Sequence, residues 1–263
     1  MREIRALLLA AGIGTRLAPL TNHWPKCLMP ISGRPLLEHW LCILKRNNVE
    51  RVLVNTHYHR SEVEKFLNRE RFSGWVSERF EKKLLGTAGT LRENQAFFKR
   101  EPFLLIHADN WCQCDFDAFL YFHAYERPIH TMMTMMTFRT SFPETCGIVE
   151  VDSEDVVQVF HEKVSNPPGN LANGAVYLIE PELLMWLKTC ETVSDFSTEV
   201  LPNFIGRIAT WENTGIHRDI GTICSLLDAQ ADPTPNLCWL EADHWQKEFE
   251  TNSIHHTIKA MAQ

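Results

Sequence analysis

A chain of 263 residues with 44% hydrophobic and 22% charged residues is long enough to bury a sizeable core without disulfide or metal staples. Its net charge of −7 argues against a surface built to coat nucleic acid. No stretch approaches the roughly 18 apolar residues of a membrane span, so no membrane partner is expected.

Ile4 to Leu9 is an apolar run that leads into Gly12 and Gly14, as a buried parallel strand feeding a turn would. The stretch Ala6 to Ala11 behind Arg2 and Arg5 is shorter than the ~7–15 residues of a signal-peptide core. Pro35 then opens a helix, with Leu36, Leu37, Trp40, Leu41 and Leu44 on one face. Val52 to Asn55 is the next strand, and Ser61 with Glu64 forms a capping-box start for a helix carrying Val63, Phe66 and Leu67. Further on come a strand at Phe103 to Ile106, a helix at Phe116 to Tyr121 and a strand at Thr131 to Phe138. Met132, Met133, Met135 and Met136 in that last strand are assigned to packing. Strands at Val156 to Phe160 and Val176 to Ile179, a helix at Pro181 to Leu187 and a last helix at Thr222 to Ala229 complete the pattern.

This rhythm predicts a three-layer, Rossmann-like α/β fold, with a mostly parallel central sheet flanked by helices and ligands beyond the carboxyl ends of its strands. Residues 1–230 are expected to form one domain and residues 231–263 a short tail. Trp239, Trp245 and Phe249 should pack that tail on the chain's own core, a subunit contact in a homo-oligomer being the alternative. Eight cysteines without framework spacing suit a reduced cytoplasm, the expected location. Cys112-x-Cys114 and His57-x-His59 lack the second half of a zinc site and are read as structural.

Charge is uneven: Arg2, Arg5, Arg16, Lys26 and Arg34 face only Glu3 within residues 1–34, which points to a local anion site. The glycines of the loop let backbone N–H groups approach phosphate oxygens, and Arg16 and Lys26 supply charge that backbone lacks. The loop matches neither the dinucleotide fingerprint nor the Walker loop, since the third glycine and the Gly-Lys-Ser/Thr ending are absent. Asp109 closes an apolar strand, and Asp219 stands just before the last helix. Both are hard oxygen donors of the kind Mg²⁺ prefers.

Taken whole, Gly12-Ile13-Gly14-Thr15-Arg16-Leu17, Pro19-Leu20-Thr21 and Pro25-Lys26 resemble the signature of the sugar-1-phosphate nucleotidyltransferase family. The resemblance covers about residues 4–230 and includes a similarity to mannose-1-phosphate guanylyltransferases. It implies that Leu9, Ala10, Ala11, Gly12, Gly14, Thr15, Arg16 and Lys26 hold the nucleotide, and that Gly86, Thr87, Ala88 and Gly89 border it. Asp109 and Asp219 would hold Mg²⁺, with Asp109 also beside the nucleotide. Asn110, Glu162, Lys163, Asn173, Gly174 and Glu199 would face the sugar, and Lys163 would bind its phosphate. Arg16, Lys26, Asp109, Lys163 and Asp219 are the implied catalytic set. Cys27 and Val164 stand where members commonly carry proline.

The implied reaction joins a nucleoside triphosphate, GTP being favoured, to a sugar 1-phosphate and releases pyrophosphate. Uridylyl or thymidylyl transfer is the alternative within the family. Two other readings are a regulatory subunit that binds nucleotide sugar without making it, and a glycosyltransferase using Asp115-Phe116-Asp117 as an Asp-x-Asp metal motif.

Overall fold

The computed structural model describes residues 3–262, so Arg2, counted above among the basic residues, lies outside the described residues. The chain is a mixed α/β protein with a central sheet and flanking helices, and it divides into two compact units. One is built from Met1–Leu7, Leu85–Ile106 and Cys114–Ile216; the other from Leu8–Leu84, His107–Gln113 and His217–Gln263.

In the first unit the strand order is Val157–Glu162, Gly147–Val151, Leu171–Ile179, Phe103–His107, Arg5–Leu9. Leu171–Ile179 runs antiparallel to Phe103–His107 and also to Met133–Arg139, which in turn pairs parallel with Ile208–Glu212. These strands read as apolar runs because both faces are covered: Phe103, Leu104, Leu105, Ile106, Val176, Tyr177 and Ile179 are fully buried. The four methionines of the Thr131–Phe138 run are buried too, so packing accounts for them. The strand expected at Val176 starts earlier, at Leu171, and its register breaks between Asn173 and Tyr177. That irregularity re-aims side chains at the very segment assigned above to the sugar.

In the second unit the order is Arg5–Leu9, Arg51–Thr56, Val76–Phe80, the last two parallel. Helix Leu36–Arg46 buries Leu36, Leu37, Trp40, Leu41 and Leu44, each at most 1% exposed and each contributing about 1.5–3 kcal/mol of apolar burial. Pro35 is extended and precedes this helix rather than forming its first turn. The expected Ser61–Glu64 capping box does not form. Helix Arg60–Leu67 starts earlier, after His59 in the left-handed region, so Ser61 is already inside the first turn and Glu64 instead accepts from Arg60 at 3.2 Å. Thr222 does cap the helix Ile223–Ala231, reciprocally with Ser225.

The tail is more regular than its prolines suggest, with helices His244–Glu250 and Ser253–Met261 capped by Asp243 and Asn252. Trp245 meets Phe66, Phe249 stacks on Trp24, and Trp239 packs edge-on to Phe72. Beneath them Arg69 lies 3% exposed, its guanidinium 5.1, 5.2 and 5.0 Å from the rings of Phe66, Phe72 and Trp245. It donates to the buried Glu38 and, at 2.8 Å, to Asp243. A buried cation is tolerable here because two carboxylates and three aromatic faces replace its water. Among the described residues no helix is long and apolar enough to cross a membrane.

Candidate active site

In the second unit the glycine loop leaves the carboxyl end of its strand and is held from below. Asn55 Oδ1, at the end of the neighbouring strand, accepts from the N–H groups of Ala10 at 2.7 Å and Ala11 at 3.2 Å. The Asn55 amide is itself oriented by donation to Glu81 at 3.0 Å, and both side chains are buried. Leu9 accepts from Ala108 N, which fixes the strand end beside Asp109. Beyond Ala11 the backbone opens to solvent, and among the described residues the N–H groups of Gly12 to Thr15 have no protein acceptor. A row of unfilled donors of this kind suits an anion.

Gly14 is required for its backbone: φ is +70°, and a Cβ would lie 3.0 Å from Thr21 Cγ2 and 3.2 Å from Lys26 Cβ. Thr21 Oγ1 donates to the Gly14 carbonyl at 2.9 Å and ties down the turn Thr15–Leu17 that presents Arg16. Lys26 stands behind this loop, 6% exposed. Its ammonium donates to Asp109 at 2.7 Å and to Asp219 at 3.2 Å, and Arg16 reaches the other oxygen of Asp219 at 3.0 Å. Strands Asn110–Gln113 and Ile216–Asp219 pair with each other, which is how carboxylates so distant in sequence come together. Ile220 N also donates to the Asp109 carbonyl at 3.2 Å. Asn110 is buried, with its carbonyl accepting from Trp40 Nε1 at 2.7 Å.

The electrostatics follow from this packing. Burial opposes ionisation of Asp109, but the charge and hydrogen bond of Lys26, together with His107 and a backbone hydrogen bond, hold the carboxyl below its usual range. Burial likewise disfavours the charged Lys26, yet Asp109 and Asp219 together raise its affinity for the proton. Cys27 is a different case: burial first and the Asp109 charge second push its thiol up to about 12, so it is an unreactive packing group.

The remaining residues assigned from the sequence belong to the first unit. Gly86 precedes helix Thr87–Glu93 with φ +78°, and a Cβ there would run into the Ser194 carbonyl. That carbonyl accepts from Ala88 N at 2.9 Å, and Thr87 Oγ1 accepts from Phe196 N at 2.6 Å. The small residues thus permit close approach of another backbone segment. Gly86→Ala is expected to destabilise the protein by about 1–3 kcal/mol from the backbone conformation alone, read from urea unfolding. A midpoint equal to that of the parent would refute the conformational argument.

Glu199, exposed, accepts from Ser194 N, Ser194 Oγ and Asp195 N, so it shapes its own turn. Lys163 has φ +48° and its ammonium lies 3.1 Å from Glu162. Asn173 donates to Tyr177 Oη at 2.7 Å and accepts from Ala175 N at 2.9 Å across Gly174. Burial pushes the Tyr177 phenol up, and the Glu162 and Asp195 charges add to it; hydrogen bonds from Asn173 and Ser197 act in the opposite sense. The buried Tyr177 hydroxyl thus bonds with Asn173 and Ser197 and feels the charges of Glu162 and Asp195.

Sequence reasoning missed Asn55, Glu81 and Tyr177. Asn55 carried a usable signal: like Asp109 it is a polar residue closing an apolar strand, the position where an open sheet exposes its site. Asp115, by contrast, accepts from Ala118 N at 3.0 Å and serves as a helix cap. His57 and His59 each sit beside a backbone carbonyl, of Glu81 at 2.8 Å and Thr21 at 2.9 Å.

The family described as nucleotidyl transferase matches residues 5–235. The chain is 27% identical over 216 residues to UTP--glucose-1-phosphate uridylyltransferase of Synechocystis sp., covering 77% of this chain and 55% of that protein. It is 30% identical over 223 residues to mannose-1-phosphate guanylyltransferase catalytic subunit beta of Drosophila pseudoobscura pseudoobscura, covering 82% and 59%. The crystal structure of HddC from Yersinia pseudotuberculosis complexed with GMP-PN shares the fold, with a TM-score of 0.71 at 20% identity over 87% of this chain and 98% of that one. The chain spans between 55% and 67% of the length of such curated relatives.

Proposed function

Since the chain belongs to the nucleotidyl transferase family, we propose that it joins a nucleoside triphosphate to a sugar 1-phosphate and releases pyrophosphate. The observation that carries this reading is the convergence of Asp109 and Asp219 on one cation, the Lys26 ammonium, at 2.7 and 3.2 Å. Two carboxylates that accept a shared positive charge at these distances form a donor set that fits a hard divalent ion. Asp109 and Asp219 would hold Mg²⁺, which when bound supplies neutralising charge for the α-phosphate and the incoming sugar phosphate.

The chain's own residues account for the rest. The N–H groups from Gly12 to Thr15 would bind phosphate oxygens, with Arg16 and Lys26 compensating charge as it passes to pyrophosphate. An oxygen of the sugar phosphate forms the bond to the α-phosphorus, and the α–β bridging oxygen leaves with the electron pair on pyrophosphate. That nucleophile is already ionised at neutral pH, so positioning and fixed charge do the catalysis and no protein nucleophile is needed. Lys163 would hold the sugar phosphate. Lys163→Ala is expected to raise the KM for sugar 1-phosphate by about tenfold or more with a smaller change in that for nucleotide, measured by initial rates. An unchanged KM removes Lys163 from the site.

We favour GTP with mannose 1-phosphate or a related hexose or heptose phosphate, in line with the names of guanylyltransferase relatives at 27% and 30% identity. The deciding measurement is Mg²⁺-dependent pyrophosphate release with GTP, UTP, dTTP, CTP and ATP, each against a panel of sugar 1-phosphates. Release that needs one triphosphate and one sugar phosphate together supports the proposal. Silence across the panel with nucleotide sugar still bound transfers the assignment to a non-catalytic nucleotide-sugar-binding subunit. The glycosyltransferase reading loses its motif, because Asp115 is spent on a helix cap.

A further inference from the structure

The first unit carries a cleft of about 1060 Å³, at the upper end of the usual size for small-molecule sites. Helix Thr87–Glu93 with the turn Gln95–Phe98 forms one wall and helix Glu182–Lys188 the other. Four cationic side chains line it, Arg92, Lys99, Arg100 and Lys188, against two carboxylates, Glu93 and Glu182. In a chain of net charge −7 that local excess runs against the average.

The cations are not equivalent. Arg92 is committed to structure, donating to the carbonyls of Cys190 at 3.0 Å and Val193 at 2.7 Å, and Lys99 lies 3.6 Å from Glu3. Arg100 and Lys188 are exposed and have no ion-pair partner among the described residues. Lys99 and Arg100 both occupy the left-handed region, φ 50° and 61°, a backbone conformation that non-glycine residues seldom adopt twice in succession. Between the charged rims Leu184 and Met185 give an apolar floor, Met185 being 64% exposed. Gln95 Oε1 is shielded from water and lacks a hydrogen-bond donor among the described residues.

We propose that this cleft binds a phosphorylated small molecule of the nucleoside phosphate kind. Its phosphate lies against Arg100 and Lys188, and its uncharged body rests on Leu184 and Met185. The arrangement follows from the chemistry: guanidinium and ammonium groups without partners recognise phosphate oxygens, and the apolar surface of Leu184 and Met185 suits the uncharged part of such a ligand. None of these residues takes part in the reaction proposed above, so the cleft would be a second ligand site.

Methyl-labelled methionine NMR on the full chain tests this, with the Met185 resonance assigned by Met185→Leu and ADP as the probe. The Met185 methyl is expected to shift saturably with ADP and not with adenosine. The response should persist in Lys26→Ala, which disables the loop site, and weaken at least about tenfold in the double variant Arg100→Ser, Lys188→Ser. Unchanged shifts of the other methionines certify that the double variant is folded. Absence of a Met185 shift at millimolar ADP, an equal shift with adenosine, or a shift that survives the double substitution overturns the proposal.

Discussion

Asp109→Ala and Asp219→Ala are each expected to cut Mg²⁺-dependent pyrophosphate release by at least about 10³-fold, since each removes one of the two carboxylates proposed to hold the ion that neutralises the reacting phosphates. The fold should survive both. In either variant Lys26 keeps one of its two carboxylate partners, and Asp219 additionally has Arg16 at 3.0 Å. Circular dichroism and Tm therefore separate loss of chemistry from loss of structure. Full activity in both variants would abolish the metal assignment. The pH behaviour carries a sign as well. The Asp109 carboxyl is held below its usual range in the folded protein, so its contribution to stability is present above the unfolded value of about 3.9 and is lost as pH falls through the lower folded value. Asp109 should accordingly remain ionised throughout the neutral range.

Arg69→Ala is expected to be the most destabilising single change in the second unit, by about 3–5 kcal/mol. The guanidinium is 3% exposed and joins Glu38, which is fully buried, to Asp243 on the tail. Its removal takes away the Glu38 partner that also reaches the tail, leaving Glu38 with Arg34 at 3.2 Å and Arg71 at 3.7 Å, and it leaves Phe66, Phe72 and Trp245 facing a void. For a chain of this size the loss corresponds to a Tm lower by roughly 6–20 °C. Arg69→Met, which keeps much of the volume, separates the void from the lost charge. Burial raises the Asp243 carboxyl, but hydrogen bonds from Arg69 and from the Gln246 N–H, together with the Arg69 and Arg71 charges, hold it low. Without Arg69 the acid limb of unfolding should move to higher pH. A Tm within a degree or two of the parent would show that the tail is not held through this residue.

The glycine loop, the helix Phe116–Tyr121 and both aspartates were legible because local rules govern them: glycine where φ is positive, apolar spacing on one face, a carboxylate closing a buried strand. Asn55 and Glu81 are less legible: Asn55 satisfies backbone groups of a segment about 45 residues away and Glu81 orients Asn55, and although Asn55 stands at a strand end, nothing near either residue names its partner. The Ser61–Glu64 misreading has the same origin. The pattern for a capping box was present, but His59 was already holding the Thr21 carbonyl at 2.9 Å, and the helix started from there. The helices His244–Glu250 and Ser253–Met261 lay behind prolines and weak apolar spacing, although their caps, Asp243 and Asn252, were of the expected type.

The clasp of Arg69 by Asp243 also bears on the order in which this protein can be made. Residues 8–84 leave the ribosome well before their partners, since Phe66, Phe72 and Trp24 find their covers, Trp239, Trp245 and Phe249, only after a long further stretch of chain has been made. At translation speeds of about 5–20 residues per second, the early segment must wait on the order of ten seconds or more with aromatic surface bare. During that interval it is a natural client for a holding chaperone, and a nascent chain stalled before Trp239 should be far more protease-sensitive than one that has emerged past Phe249.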